Sequence, residues 1–396
     1  MIRADARLRV VLVNYNGGDL LQRAVRSALT SQWPGEVDVV VVDNASTDDS
    51  LAAIEELAGV HIIHNETNEG FSANNHGLAD LIGDEFALQL PEPDVVALLN
   101  PDAVVRPEAF RRLAGVLDAG KLIGVASPTI LFDRPFIECH ILAGDEPLVI
   151  SHIQCGDDDL ASQCHGVNGA ERFPGPDGPV WHCPHRSILR VPVAALGAQL
   201  ELGIERGEGV IDGESVEPGM VYTSPVAARP SLRIVQNAGV RIDSAGVGHS
   251  RGFTKRVEEP LGADTALWTG AAAVFHADYF RTVGGFDPEY FLYYEDVELG
   301  LRGLATGGRP PTCPTRSWST VTRIEPCRAA NWSRCSSTRI VCSPRCATGR
   351  RPTWPRRSDA PPLPRCRSLP PRFDHQLSAT SGSVWRSGER RRCVTP

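Results

Sequence analysis

Leu98-Leu99-Asn100-Pro101-Asp102-Ala103 decides how this chain is read. The apolar run Val95-Val96-Ala97-Leu98-Leu99 has the form of a buried strand. It stops abruptly on a turn that presents a carboxylate. Open α/β sheets bind ligands in the crevice beyond the carboxyl ends of their strands. A carboxylate placed there can hold a divalent cation, and that cation can neutralise a diphosphate. Asn-Pro-Asp alone is a common turn, so the flanking sequence has to carry the argument.

Upstream, Leu8-Arg9-Val10-Val11-Leu12-Val13 is a continuous run of the kind seen in buried parallel strands. It ends in the turn-rich Asn14-Tyr15-Asn16-Gly17-Gly18-Asp19, and residues 20–30 carry apolar side chains at helical spacing. A strand over 37–42 ends in Asp43-Asn44-Ala45-Ser46-Thr47-Asp48-Asp49-Ser50. Ser46 or Thr47 can cap a helix over 51–57. His61-Ile62-Ile63 is a third strand, and Asn68-Glu69-Gly70-Phe71-Ser72 turns into a helix over 73–81. With the strand at 95–99 and a helix over 107–117, the β-α-β-α order predicts a parallel sheet with helices on both faces. An Asp after a strand is usually a turn or helix cap, and the Gly17-Gly18 pair is a weak phosphate signal. Several strand ends offering polar groups on one rim strengthen the ligand reading.

Between about 128 and 237 Pro and Gly become frequent and short β-type runs appear at 188–193, 199–204 and 220–222. A β-rich insertion is expected here. It holds Cys155, Cys164, His165, His182, Cys183 and His185, whose spacings fit no standard zinc pattern. Order returns with Ile234-Val235-Gln236-Asn237-Ala238-Gly239, then Trp268-Thr269-Gly270-Ala271 before a strand and a helix near 277–283. Tyr294-Glu295-Asp296-Val297-Glu298 opens a last helix through Arg302. The adjacent carboxylates Glu295 and Asp296 are either a charge pair favourable to the helix dipole or a general base in a desolvated pocket.

The net charge of −8 conceals two different polypeptides. Residues 309–396 contain 18 Arg, no Lys and 4 acidic side chains, leaving 22 of the 40 basic and 44 of the 48 acidic residues in 1–308. The acidic first part argues against a nucleic-acid partner. Of the 11 Cys, 7 fall in the last segment, so no disulfide framework is indicated. No run of about 18 apolar residues occurs, and the N-terminus lacks the apolar stretch of a signal peptide. A cytoplasmic protein is expected, with at most peripheral contact at the inner face of the plasma membrane.

Taken as an ordered set, several of these segments resemble the family 2 glycosyltransferases of the GT-A fold. They are Val13-Asn14-Tyr15-Asn16, Val42-Asp43-Asn44-Ala45-Ser46-Thr47-Asp48, Asn68-Glu69-Gly70-Phe71-Ser72 with Asn75, and Leu99-Asn100-Pro101-Asp102-Ala103. Trp268-Thr269-Gly270-Ala271, Gly284-Gly285-Phe286-Asp287 and Tyr294-Glu295-Asp296 with Glu298, Leu299 and Arg302 complete it. The nearest likeness is to a rhamnosyltransferase-like branch that builds bacterial cell-surface glycans. The resemblance covers 8–131 and 234–304. It implies a mainly parallel α/β sheet divided as 1–131, a nucleotide-sugar-binding half, and 234–308, an acceptor and catalytic half, around an insertion at 132–233. By the same resemblance Tyr15 and Asp43 would contact the nucleobase and ribose. Asn16, Asn68, Gly70, Asn75 and Asn100 would line the donor site, and Asp102 would bind Mn²⁺ or Mg²⁺ on the donor diphosphate. Trp268, Thr269, Gly270 and Arg302 would line the sugar and acceptor cleft. Asp296 would be the catalytic base, with Glu295 the competing candidate. The implied reaction is inverting transfer from a nucleotide-sugar, such as dTDP-rhamnose or a UDP-sugar, to a glycan or lipid-linked acceptor. A nucleotidyltransferase is disfavoured, because the N-terminal region has no Gly-rich loop carrying basic residues.

After Gly308 the family expects a strand, a metal-liganding His and a helix. The Arg, Pro, Ser, Cys and Trp bias found instead points to a GC-rich gene read out of frame. Codons permitted for residues 311–323 allow, in a shifted frame, an apolar strand ending in His, and the same shift over 330–348 allows an amphipathic helix. A disordered basic tail is the alternative. An out-of-frame tail would leave a catalytically impaired nucleotide-sugar-binding remnant.

Overall fold

The computed structural model describes residues 3, 5–117, 124–193, 197–244, 246–261 and 267–306. They fall in the first of two compact units, Met1–Val341; the second, Cys342–Pro396, and the whole segment 309–396 on which the frame argument rests lie outside the described residues.

The central sheet is built from β1 (Leu8–Asn14), β2 (Val37–Asp43), β3 (Val60–His64), β4 (Val95–Leu99), β5 (Val125–Ala126) and β6 (Ala272–His276), in the order β3-β2-β1-β4-β6-β5. The first four are parallel, with Leu8 beside Val37 and Val95. β6 alone runs against them, Ala272 lying beside Leu99 and His276 beside Val95. The sheet is therefore mixed. Its one reversed strand arises because the chain returns from the insertion at the carboxyl rim and must run back down beside β4.

Alternation along each strand supplies two cores. Val10, Leu12, Val39, Val41, Val95, Ala97, Leu99 and Val274 face α1 (Gly18–Leu29) and α2 (Ala109–Ala114). Val11, Val40, Val42, Val96, Leu98 and Phe275 face the other way, toward Leu78, Trp268, Phe280, Phe286 and Leu299. α1 buries Leu21, Ala24, Val25 and Ala28, one stripe at i, i+3, i+4 and i+7. Each fully buried Leu or Val contributes about 1.5–3 kcal/mol.

Two local expectations give way to tertiary demands. Residues 51–57 form successive turns instead of a helix, closed mainly by i to i+3 bonds such as Ile54 N to Leu51 O at 2.9 Å. Ser50, at their start, is drawn toward the strand ends by Asn14 at 2.9 Å. The helix expected over 73–81 breaks into a 3₁₀ turn at Gly70–Ala73 and short helices at Asn74–Gly77 and Ala79–Ile82. Gly77 sits against β1, where a Cβ would fall 2.5 Å from Val11 Cγ1, and its carbonyl accepts from Arg9 at 3.3 Å. Arg9 itself, within an apparently apolar run, is fully buried. It pairs with Asp80 through two bonds of 2.6 and 3.0 Å and lies 4.4 Å over the Phe86 ring.

Between β5 and β6 the chain forms a two-sheet β-sandwich. One sheet contains Phe136–Ala143 and Ser187–Pro192, the other Leu148–Cys155 and Gln199–Arg206, around a separate apolar core. Cys139, Cys155, Cys164 and Cys183 are buried and unpaired as disulfides. Burial pushes the Cys139 and Cys183 thiols up to about 12, so these sulfurs behave as small core groups. Buried Glu138 links the sandwich to the segment around 254–259 through Arg190 and Arg256.

α3 (Ala277–Val283) and α4 (Glu295–Ala305) follow β6. Among the described residues no helix is long and apolar enough to cross a membrane.

Candidate active site

The carboxyl ends of β1, β2 and β4 form one rim. Asn14, the last residue of β1, is fully buried and lies beside Asp43 in register. Its Nδ2 donates to Asp43 Oδ1 at 2.8 Å, Ser50 Oγ at 2.9 Å and Ser46 Oγ at 3.0 Å. Asp43 Oδ2 accepts from Ser46 N at 3.1 Å. A strand-end carboxylate is thus fixed in direction by its neighbours while remaining at the edge of the sheet. Asn16, with φ of 52°, accepts from Thr47 N at 2.8 Å, so it braces the 46–47 turn. The Tyr15 ring beside it is half exposed on the rim.

Asn44 ties this cluster to the next. Its Nδ2 donates to Gly70 O at 2.9 Å and Asn68 Oδ1 at 3.2 Å, and its Oδ1 accepts from Asn65 at 2.9 Å. Asn68 Oδ1 also accepts from Gly70 N at 2.9 Å. Asn14 and Asn44 hold the rim together, and the sequence reading gave neither a role. Their only signal is an amide at the end of an apolar strand or next to one.

At the end of β4, Asn100 N donates to Ala271 O at 3.0 Å, joining the rim to the Trp268–Ala271 stretch. The turn that follows buries Asp102 Oδ1 with no hydrogen-bond partner among the described residues. Burial raises this carboxyl to about 6. Gly270 N donates to Asp296 Oδ2 at 2.9 Å, and Asp296 Oδ1 accepts from Val297 N at 2.8 Å. Two consecutive left-handed residues, Tyr293 at φ 71° and Tyr294 at 70°, turn the chain sharply into α4, so its first two residues face Gly270. Non-glycine residues pay about 1–2 kcal/mol each for that conformation. Glu295 is 6% exposed, and its Oε2 has no hydrogen-bond partner among the described residues. Burial and the Asp296 charge raise Glu295; burial raises Asp296 against the Gly270 and Val297 N–H groups that lower it.

Asp43, Asp102 and Asp296, remote in sequence, therefore occupy one rim, linked through Asn44–Gly70, Phe71 N to Phe291 O at 2.8 Å, and Asn100–Ala271. Other candidates serve as braces. Trp268 is fully buried, its ring edge-on to Phe275 at 5.1 Å, and lines no open surface. Its indole belongs to the core on that face of the sheet, with Phe275, Phe280, Phe286 and Leu299. Thr269 is buried and accepts from Asn237 at 3.3 Å. Asn75 spends its amide on the Phe286 backbone, and Arg302 spends its guanidinium on Glu298, Val283 O and Gly285 O.

The strand-end rim carrying separated carboxylates on a mixed sheet accords with the GT-A fold that the sequence resemblance implies. Residues 9–138 match the family described as Glycosyl transferase family 2. An uncharacterized glycosyltransferase of Nostoc sp. is 31% identical over 119 residues, 30% of this chain and 35% of that protein. The chain thus matches about a third of its curated relative's length. Among solved structures, S. aureus TarS (residues 1–349) is 22% identical, covering 31% of this chain and 35% of that one at a TM-score of 0.26. A mannosyltransferase from Pyrobaculum calidifontis, solved with GDP-Man and Mn²⁺, is 21% identical with the same coverages and a TM-score of 0.27.

Proposed function

We propose that the chain transfers a sugar from a nucleoside-diphosphate donor to an acceptor hydroxyl with inversion at the anomeric carbon. The placement of Asp43, Asp102 and Asp296 on one connected rim carries this reading. We assign 1–131 to donor binding, 234–308 to the acceptor and the base, 132–233 to an insertion of separate role, and 309–396 to an out-of-frame tail.

Tyr15 and Asp43 would hold the nucleoside, beside the Asn68–Gly70 turn and Asn100. Asp102 fits a cation, because its buried Oδ1 has no hydrogen-bond partner among the described residues. Among the described residues no group of three His, Cys, Asp or Glu side chains is placed to hold a metal. Asp102 would thus share Mn²⁺ or Mg²⁺ with the donor diphosphate, as such ions are commonly held by one or two carboxylates plus substrate phosphates. The bound ion would offset negative charge on the departing diphosphate. Asp296 would take the acceptor proton as the acceptor oxygen bonds to the anomeric carbon and the bond to the diphosphate breaks. Its two oxygens each accept one backbone N–H, which fixes the carboxylate and leaves lone pairs for that proton. Glu295, buried beside it, is the second candidate. The exposed Phe291-Leu292-Tyr293 stretch just before α4 suits an acceptor with an apolar part, such as a lipid-linked glycan. A donor of dTDP-rhamnose or a UDP-sugar follows from the branch resemblance.

The composition of 309–396 favours a second reading, a binding remnant with weak or absent transfer. One experiment separates the two. Mn²⁺-dependent donor hydrolysis or transfer by the parent chain, falling about 10²–10⁴-fold in Asp296→Asn, supports the enzyme. Donor binding without turnover, restored to turnover only by the frame-corrected gene, supports the remnant.

A further inference from the structure

Asn75 and Phe286 are separated by 211 residues, yet the Asn75 carboxamide is committed to the Phe286 backbone. Nδ2 donates to Phe286 O at 2.8 Å, and Oδ1 accepts from Phe286 N at 2.8 Å. A reciprocal pair of this kind fixes direction as well as distance. Gly285 permits the approach, since a Cβ there would stand 2.5 Å from Asn75 Oδ1. Gly284, at φ 88°, supplies the turn. From the opposite side Arg302 donates to Val283 O at 2.9 Å and Gly285 O at 2.7 Å, while Glu298 neutralises it. The Phe286 ring then meets Phe71 edge-on at 5.1 Å.

From this turn the chain runs to Phe291, whose carbonyl accepts from Phe71 N, and on to Glu295 and Asp296. Residue 70 must be glycine here, because a Cβ would fall 2.0 Å from Phe291 O. The segment 286–294 is thus pinned at its start by Asn75 and again beside Phe71, the residue next to the one that Asn44 holds against the rim.

We propose that Asn75 and the Gly284-Gly285-Phe286 turn form a latch that sets Asp296 relative to the donor rim, making Asn75 a positioning residue and not a donor ligand. The proposal rests on Asp296 acting as the base. Misplacing a reacting group by 1 Å costs about 10²-fold in rate, so a latch of this kind acts on turnover and leaves donor affinity alone.

The test uses Asn75→Ala, Gly285→Ala and the double variant in the full chain. UDP, GDP and dTDP with Mn²⁺ serve as calorimetric probes, alongside donor turnover and amide hydrogen exchange. Each single variant should lower kcat about 10²-fold while donor KM and nucleotide affinity stay within about threefold. The Gly285→Ala methyl is relieved when Asn75 is truncated, so the double variant should be no worse than Asn75→Ala alone. Exchange at the Phe286 amide and across 291–297 should quicken at least about tenfold in Asn75→Ala. A loss of nucleotide affinity of about tenfold or more in Asn75→Ala with kcat retained would make it a donor contact. Unchanged exchange would remove the latch. If the parent binds no nucleotide and turns over no donor, the transferase reading fails, while the exchange result still decides the latch.

Discussion

Asp102→Asn should stabilise the metal-free protein near neutral pH. The Asp102 carboxyl has a buried oxygen without a partner, and burial lifts it from 3.8 to about 6. The folded state therefore keeps this proton to higher pH than the unfolded chain. Between about pH 4 and 6 it binds more protons than the unfolded state, so stability falls as pH rises through that window and stays low above it. At about 1.4 kcal/mol for each pKa unit, the cost above pH 7 is about 3 kcal/mol. Asn removes the charge but leaves a polar group to satisfy, which reduces the expected gain to about 1–3 kcal/mol. In a body of this size that corresponds to a Tm rise of about 2–6 °C. Scanning calorimetry from pH 4 to 8 in the presence of a chelator measures it. The parent and variant curves should converge near pH 4 and separate as pH rises. Added Mn²⁺ should stabilise the parent by mass action and leave Asp102→Asn unmoved. A variant no more stable than the parent at pH 7.5, or two curves that stay parallel across the range, would refute the assignment of a buried, partnerless carboxylate.

Two further changes probe the framework. Arg9→Met strands Asp80 beside the sheet and should cost about 3 kcal/mol in urea unfolding, with most of the loss recovered by adding Asp80→Asn; a fully stable Arg9→Met would contradict the buried pairing. At Glu138, burial alone would push the carboxyl up, but the hydrogen bonds and charges of Arg256 and Arg190 outweigh it and hold it below the usual range. Its contribution should be complete above about pH 4.5 and vanish as pH falls through the lower folded-state value, so Glu138→Gln should lose that acid step from a Tm-versus-pH curve. Retention of the step in the variant would assign it to another group.

What was legible in the sequence was whatever short-range pattern decides. The strand at Val95–Leu99 is an apolar run closed by a turn, and its ends can be read off because nothing else in the fold competes for them. How Arg9 is tolerated inside its buried strand was not legible: its partners Asp80 and Phe86 lie far along the chain, and no local pattern announces them. The direction of β6 was equally hidden, since a strand's local pattern does not record which end of the sheet the chain approaches. At the site, motif order identified the region but not what each side chain does there. Asn75, Asp102 and Arg302 all lie within or beside the segments that build the rim, and the accounting of their polar atoms separates them. Asn75 and Arg302 have their hydrogen-bonding groups engaged within the protein, which suits a brace. Asp102 Oδ1 and Glu295 Oε2 are buried and unengaged, a cost of about 1–3 kcal/mol or more each that the fold leaves standing. Arg9 Nε, Ser31 Oγ and Trp268 Nε1 are buried and unpartnered as well, but among the described residues Asp102 and Glu295 supply the two carboxylate oxygens in that state. A carboxylate gains the most from an ion or a proton in transit, and that difference in chemistry is why the rim reads as a site of reaction and not as another polar seam.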